Sequence, residues 1–426
     1  MLILNVSRMV RTPPYPELCR CVREAQYLRK LKYTAAALML CILISGCSDD
    51  QNIEYHVYSN GVMLDSGTIM PAESSKNNIA DFYIPEGMET DYYKTYALTD
   101  AEREIYDETV KNLGRLKETV TLPVDSNAYS RILEMIRLEQ LSFNHVSMWK
   151  LGEYSAAKQG FEVIFNYRLT ADEISSMNIA TERAAKDIVS QLTPEMDDYE
   201  KLKFFHDYLV LNCNADTDDE YADTIYGALV RKKALCEGYT KAFSYLCNLA
   251  GIENVIVTGE TTVRHMWNMV KLNGNWYHVD VTWDNPDDEL HGEYPDVILY
   301  QYFMVTDSVI KNNHTIVPYP AEPPKAYGTE ENYFVREGAD VTSEDGLLTA
   351  AENAIMGAVK SRKTSAMIKF STTDLYLSSL AYLSDEELFT PVTERVKAEC
   401  GENIKLLWTD YYGQYRILTF IINYEY

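Results

Sequence analysis

Apolar positions recur at helical spacing in the segment CEGYTKAFSYLCNLAGI, residues 236–252. Tyr239, Phe243 and Leu246 fall on one face of the predicted helix, and Gly251 is typical of the position just beyond a helix end. The pattern therefore predicts a helix that begins at Cys236.

A strand pattern follows in HMWNMVKLNGNWYHVDVTW, residues 265–283, where Asn-Gly separates two alternating runs. Asn-Gly favours a two-residue hairpin loop. If Leu272 pairs with Asn275, Trp267 lies opposite Asp280. His265 and Asp280 are then diagonal neighbours on one face, with Cβ atoms within about 8 Å. A register shift of one residue would place them on opposite faces.

Similar patterns occur on both sides of this region. Thr99 and Glu102 have the spacing of a capping box, which predicts a helix start. A helix, strand, helix, strand, strand unit is predicted on both sides. The N-terminal copy shows a helix, a strand, a helix and one strand at 98–116, 118–124, 126–138 and 160–169, and the C-terminal copy shows all five elements at 345–360, 365–371, 373–380, 403–408 and 416–426. FEVIFNY at Phe161 also resembles LTFIINY at Leu418, so we expect two related α/β units, although chance similarity is an alternative.

The segment LRKLKYTAAALMLCILISGC has basic residues before a short apolar stretch, 34–45. A membrane-spanning helix needs about 20 residues, so the stretch better fits a secretory signal. ISGC resembles the lipobox of bacterial lipoproteins, which implies cleavage before Cys47 and lipid on its thiol. An ordinary signal peptide is the alternative, and the long basic region leaves open a start downstream of Met1.

The charge balance is strongly acidic, with 39 basic and 64 acidic residues and a formal net charge of -25. This argues against nucleic acid as a partner and against adsorption to an anionic membrane. We expect the lipid on Cys47 to be the membrane contact.

Four cysteines follow Cys47, with no CxxC spacing typical of zinc sites. They are Cys213, Cys236, Cys247 and Cys400. The sequence does not decide whether a disulfide joins Cys213 and Cys247. His278 shares the hairpin face with His265, but no third ligand can be placed, so we expect no metal and no cofactor.

Cys236 has the setting of a nucleophile. The amides and the macrodipole of a helix N-terminus favour the thiolate form of a cysteine. A thiolate nucleophile needs an imidazole beside it and a group that orients the ring; His265 and Asp280 supply both. Alternatively, Cys236 and His265 are ordinary core residues and Asp280 is a cap.

The motifs ALCEGYTKAF, HMWN and WYHVDVTW, in this order, resemble the transglutaminase-like superfamily over residues 195–310 or so. The resemblance implies a papain-like core in which Cys236 is the nucleophile, His265 the general base and acid, and Asp280 the orienting carboxylate. Met266 stands where the superfamily usually has a small residue. The backbone N–H of Cys236 and the side chain of Tyr226 are candidate oxyanion donors.

We therefore expect an α+β protein with a papain-like core, a Cys-bearing helix packed on an antiparallel sheet, between two small α/β units. The expected order is a lipoprotein-type signal peptide, a polar tether, an N-terminal α/β unit, the catalytic core, a Pro-rich linker and a C-terminal α/β domain, over residues 1–46, 47–93, 94–170, 171–316, 317–328 and 329–426.

The expected function is a cysteine peptidase or amidase acting on protein or peptide substrates at the bacterial cell envelope, outside the cytoplasm. Transglutamination and a non-catalytic binding or scaffold module are the alternatives. Trp267 is expected either to pack in the core or to line the cleft, and the flanking units are candidate surfaces for a protein partner.

Overall fold

The computed structural model describes residues 41–42, 53–59, 62–69, 80–122, 126–143, 146–157, 160–286, 297–381, 383, 387–409 and 413–425. The chain divides into two compact units, Met1–Asp81 and Phe82–Tyr426. Most of the expected signal peptide, and Cys47 itself, lie outside the described residues. Within the described part of the chain, no helix combines the length and apolar character needed to cross a membrane.

The first unit contains a three-stranded antiparallel sheet in the order β1-β2-β3. Its strands are β1 (Cys41–Ile42), β2 (Ile53–Ser59) and β3 (Val62–Ile69). The described residues of the expected tether over 47–93 show two further features. Two strands, β2 and β3, lie within it. Phe82, Met88 and Tyr93 are buried in the second unit.

The N-terminal part of the second unit contains a three-stranded antiparallel sheet in the order β4-β6-β5. The predicted capping box of Thr99 and Glu102 starts its second helix. The elements are α1 (Tyr92–Ala97), α2 (Asp100–Gly114), β4 (Thr119–Leu122), α3 (Ser126–Glu139), β5 (Val146–Ser155) and β6 (Gly160–Tyr167). Strand β5 was not predicted.

The central part contains a five-stranded antiparallel sheet in the order β12-β11-β10-β9-β13. Helix α6 packs across β9 and β10. The elements are α4 (Ala171–Val189), α5 (Asp198–Asn212), β7 (Asn214–Ala215), β8 (Lys233–Ala234), α6 (Cys236–Leu249), β9 (Asn254–Glu260), β10 (Arg264–Leu272), β11 (Asn275–Val279), α7 (Val281–Asp284), β12 (Phe303–Val305), α8 (Asp307–Ile310) and β13 (Thr315–Ile316).

The β10–β11 hairpin has the predicted register, with Leu272 paired to Asn275. Both loop residues have positive φ, 51° at Asn273 and 83° at Gly274. A two-residue turn of this type requires positive φ at both positions, which Asn-Gly tolerates.

The C-terminal part contains a four-stranded sheet in the order β14-β15-β17-β16. Its elements are α9 (Tyr333–Arg336), β14 (Asp340–Val341), α10 (Leu347–Lys360), β15 (Ser365–Phe370), α11 (Thr373–Leu380), α12 (Thr390–Cys400), β16 (Asn403–Thr409) and β17 (Ile417–Glu425). Helix α12 and strand β14 were not predicted. The expected linker is packed against the central part, since Ala326 is buried and its N–H donates to Asp307.

The two flanking parts share a topology. In each, the last strand lies between the other two, in the orders β4-β6-β5 and β15-β17-β16. Val163 pairs with Val120 and Leu151, and Phe420, its counterpart in the aligned segments, pairs with Ala366 and Trp408. The structure therefore supports the repeat. The α+β class with largely antiparallel sheets is confirmed.

Candidate active site

Cys236 is the first residue of α6 and is half-buried. The preceding Leu235 provides no side-chain cap, so no capping side chain occupies the amides of the first turn. A loop lies against this helix start: the N–H of Leu235 donates to the carbonyl of Ala222 at 2.8 Å. A Cβ at Gly238 would lie 2.3 Å from the same carbonyl, so glycine permits the close approach.

His265 lies on β10 and is 7% exposed. Two hydrogen bonds tie β10 to α6. The hydroxyl of Thr240 donates to the carbonyl of Met266 at 2.9 Å, and the side-chain amide of Asn268 donates to the carbonyl of Thr240 at 3.1 Å. These bonds fix the helix that carries Cys236 against the strand that carries His265.

Asp280 follows β11 and is the N-cap of α7. His265 Nε2 donates to Asp280 Oδ2 at 2.6 Å, as the hairpin register predicted. Asp280 Oδ1 accepts the backbone N–H groups of Thr282 and Trp283, each at 3.1 Å. The carboxylate is thereby held in one orientation toward the imidazole.

The electrostatics favour a charged pair. Burial alone lowers the pKa of His265, but the Asp280 carboxylate and a hydrogen bond with Cys236 outweigh burial and raise this pKa to about 10. Burial raises the pKa of Asp280, but His265 outweighs it and holds the pKa well below its usual range. Because Nε2 of His265 bonds to Asp280, Nδ1 is the nitrogen that faces Cys236. An imidazolium beside a cysteine sulfur favours the thiolate.

Trp267 does not line an open cleft, which was one of the two expectations for it. It is 1% exposed and stacks on His265 with ring centroids 5.8 Å apart. Its indole N–H donates to Nδ1 of His278 at 3.0 Å, and Nε2 of His278 donates to Asp307 at 3.1 Å. A hydrogen-bonded indole packed behind His265 supports the ring and is not available to substrate.

Tyr226 is half-buried and precedes a π-helical turn, Gly227–Arg231. Its ring makes an edge contact with Tyr221 at 5.6 Å. Its role as an oxyanion donor stays a prediction.

Sequence reasoning missed His314, and it expected Trp283 to belong to the core and not to the site. His314 Nε2 lies 3.0 Å from Asp280 Oδ2, and the ring of Trp283 lies 4.9 Å from that of His314 and 6.2 Å from that of His265. His314 lies 34 residues after Asp280, outside the hairpin. No local spacing could have indicated it.

His265, Asp280 and His314 present ligand atoms within 4.8 Å of one another and could hold a metal ion. His278, considered as a ligand from the sequence, is not in this group; its nitrogens contact Trp267 and Asp307. The hydrogen bonds of the two imidazoles to one carboxylate oxygen account for the convergence.

The four cysteines that follow Cys47 are free thiols, so the structure contains no Cys213–Cys247 bridge. Burial raises the pKa of Cys213 to about 12 and that of Cys247 far above its usual value. These two thiols are therefore poor nucleophiles at neutral pH.

Comparison with known proteins gives several matches. Kyphoscoliosis peptidase of Mus musculus is 25% identical over 130 residues, covering 26% of this chain and 20% of that protein. The chain thus spans only about a fifth of the length of this curated relative. A crystal structure of a TGase has 14% identity and a TM-score of 0.24, covering 38% of this chain and 49% of that one. The structure of a proposed cysteine protease from Cytophaga hutchinsonii has 12% identity and a TM-score of 0.23, and the match covers 40% of this chain and 65% of that one.

A family model also matches the chain, and it covers the cysteine helix and the hairpin together. The match runs over residues 186–281 and includes Cys236, His265 and Asp280. Residues 186–281 form a domain of the transglutaminase-like superfamily.

Proposed function

We propose that the protein is a cysteine peptidase or amidase that acts on protein or peptide substrates through acyl transfer. One arrangement carries the proposal: Cys236 begins a helix and interacts electrostatically with His265, which donates to Asp280 at 2.6 Å. A nucleophile, a proton carrier and an orienting group in this order are the requirements of covalent acyl transfer.

In the proposed mechanism, the Cys236 thiolate attacks an amide carbonyl and forms a carbon–sulfur bond. The imidazolium of His265 gives its proton to the amine, which leaves as the carbon–nitrogen bond breaks. Neutral His265 then takes a proton from water, which attacks the thioester and releases the acid. Positioned proton transfer of this kind contributes about 10² to 10⁴ in rate. The amides at the start of α6 are suited to the developing oxyanion.

Two other functions predict different products. A transglutaminase uses the same residues but resolves the thioester with a primary amine, so the distinction lies in which nucleophile reaches the thioester. A binding or scaffold module forms no thioester. The match to a peptidase favours hydrolysis as the first hypothesis.

The test is mass spectrometry of a glutamine-containing peptide library after incubation with the purified full-length chain, with and without a primary amine. Cys236→Ala is compared with Cys400→Ala, which removes another half-buried free thiol. Cleavage or deamidation that is lost only in Cys236→Ala supports the hydrolase, and amine incorporation indicates transglutamination. No product that depends on Cys236 would contradict both.

We further propose that the chain is exported and lipid-anchored through Cys47 on the outer side of a bacterial cell membrane. The support is the basic and apolar sequence that ends in ISGC. Metabolic labelling with an alkyne fatty acid in a bacterial host should label the wild type and not Cys47→Ser. Equal labelling of both, or of neither, would contradict the anchor.

A further inference from the structure

We propose that His314 is a positioning residue of the Cys236 site and acts through Asp280. The inference rests on the proposed function, because it takes Cys236 and His265 as the reacting pair. It is carried by the hydrogen bonds of a single carboxylate.

All acceptor positions of Asp280 are occupied. Oδ1 accepts two backbone N–H groups, and Oδ2 accepts Nε2–H of His265 at 2.6 Å and Nε2–H of His314 at 3.0 Å. A carboxylate offers about four lone-pair positions, so the set is complete. Asp280 is 1% exposed. Since water does not reach it, His314 supplies a bond that the rest of the site cannot.

The ring of His314 is itself held in place. It is 2% exposed, and its ring centroid lies 4.9 Å from Trp283, 5.1 Å from Tyr302 and 5.1 Å from Trp267. Nδ1 lies 2.7 Å from Oδ1 of Asn313, whose amide nitrogen donates to the hydroxyl of Tyr302. Aromatic packing and this contact with Asn313 together direct Nε2 at Asp280.

His314 reaches the site from outside the hairpin. It directly precedes β13, which pairs with the edge of β9 opposite to β10. The pairing of β13 with β9 therefore brings a fourth side chain to the cluster of Cys236, His265 and Asp280.

The second imidazole has a chemical consequence. Hydrogen bonds to a carboxylate favour its ionised form, so His314 keeps Asp280 ionised and oriented toward His265. Removing this donor leaves a buried lone pair without a partner. Asp280 then holds the imidazole of His265 less firmly, which should slow the reaction of Cys236.

The experiment measures the alkylation rate of Cys236 by iodoacetamide from pH 4 to 9 in the full-length chain, by mass spectrometry of the Cys236 peptide. His314→Leu removes the donor, and His314→Gln keeps an amide N–H at a similar reach. We expect His314→Leu to react about tenfold more slowly at pH 6. His314→Gln should stay within about threefold of the wild type.

His206→Gln is the matched control, because His206 is an equally buried imidazole that bonds to Asp207 and Asp284 and not to Asp280. It should lower the melting temperature and leave the pH profile unchanged. A folded His314→Leu with the wild-type profile would overturn the proposal. So would equal losses in His314→Leu and His314→Gln.

If His314→Leu does not fold, His314→Asn replaces it. The shorter amide of Asn does not reach the position of Nε2, so the Gln variant must react faster than the Asn variant.

Because alkylation needs no substrate, failure of the proposed function can be distinguished from failure of this inference. If alkylation depends on His314 but no peptide is turned over, the proposed hydrolase function is contradicted and this inference is retained. Alkylation unaffected by His265→Gln removes the basis of the inference.

Discussion

Arg137 of α3 donates to Glu237, the residue directly after Cys236, across 2.8 Å. Glu237 also pairs with Lys241 at 2.8 Å, and Arg137 is held in turn by Glu134 at 2.7 Å. The N-terminal part therefore contacts the first turn of the helix that carries the proposed nucleophile, through the side chains of Arg137 and Glu237, each 24% exposed.

Arg137→Gln should slow alkylation of Cys236 and lower the free energy of unfolding by about 1–2 kcal/mol, because it leaves a largely buried carboxylate with one partner fewer. Arg131→Gln removes a pair with Glu102 in the same part, away from α6. The measurements are alkylation rates and urea unfolding. Equal alkylation rates in the two variants would show that the contact does not position Cys236.

Reactivity at low pH should depend on His265. Its pKa of about 10 keeps the ring protonated at pH 6, which favours the thiolate of Cys236. His265→Gln should slow alkylation roughly 10- to 100-fold at pH 6, and the deficit should shrink as pH approaches the free thiol value of about 8.5. Peptide turnover in the wild type should fall as pH rises through about 10, because the imidazolium is then lost as general acid. A deficit that is constant with pH would contradict the ion pair.

Glu139 should make stability depend on pH. Burial raises its pKa to about 8 from a usual 4.5, so the folded carboxyl keeps a proton that the unfolded chain releases between these values. Stability should therefore fall as pH rises through this window, by up to about 4–5 kcal/mol. Glu139→Gln is neutral and keeps an oxygen for the N–H of Tyr93.

The melting temperature of Glu139→Gln should exceed that of the wild type at pH 9 and be similar at pH 5. Glu108→Gln, at an exposed position of α2, should keep the wild-type slope. Parallel pH profiles in the wild type and Glu139→Gln would show that this carboxyl does not titrate as expected.

Asp207 joins the C-terminal part to the core. Its carboxylate accepts from Lys203 at 2.8 Å and from Lys363, which follows α10, at 2.9 Å, and it contacts His206 at 3.2 Å. Asp207→Asn leaves the cations without this counter-charge, so we expect a loss of about 3 kcal/mol. Asp198→Asn on the same helix removes an exposed pair and should cost less than about 1 kcal/mol. Urea unfolding distinguishes them, and equal costs would contradict the role of this cluster.

Gly259 makes room for Trp267. A Cβ there would lie 2.5 Å from the Trp267 ring and 2.4 Å from the carbonyl of Thr315. Gly259→Ala should displace the ring that stacks on His265, lower the melting temperature and slow alkylation of Cys236. Gly357→Ala, in α10, meets nothing within 4 Å and should stabilise by about 1 kcal/mol. If Gly259→Ala reacts at the wild-type rate, Trp267 does not support the site.

The elements that sequence reasoning predicted best are those with strong local signals. The helix from Cys236, the Thr99 capping box and the Asn273–Gly274 turn each depend on a few neighbouring residues, and each is present. Strands β2, β3 and β5 were not placed from the sequence, because their sequences mix polar and apolar residues without a clean alternation.

By itself, the sequence determined the helix that begins at Cys236, the register of the hairpin and hence the shared face of His265 and Asp280. These follow from periodicity and from a turn that permits one register. Only the tertiary structure decided that His314 shares Asp280 and that Trp267 lies behind His265. Both depend on packing between segments distant in sequence, β13 against β9 and the hairpin against α6, and no spacing along the chain encodes such contacts.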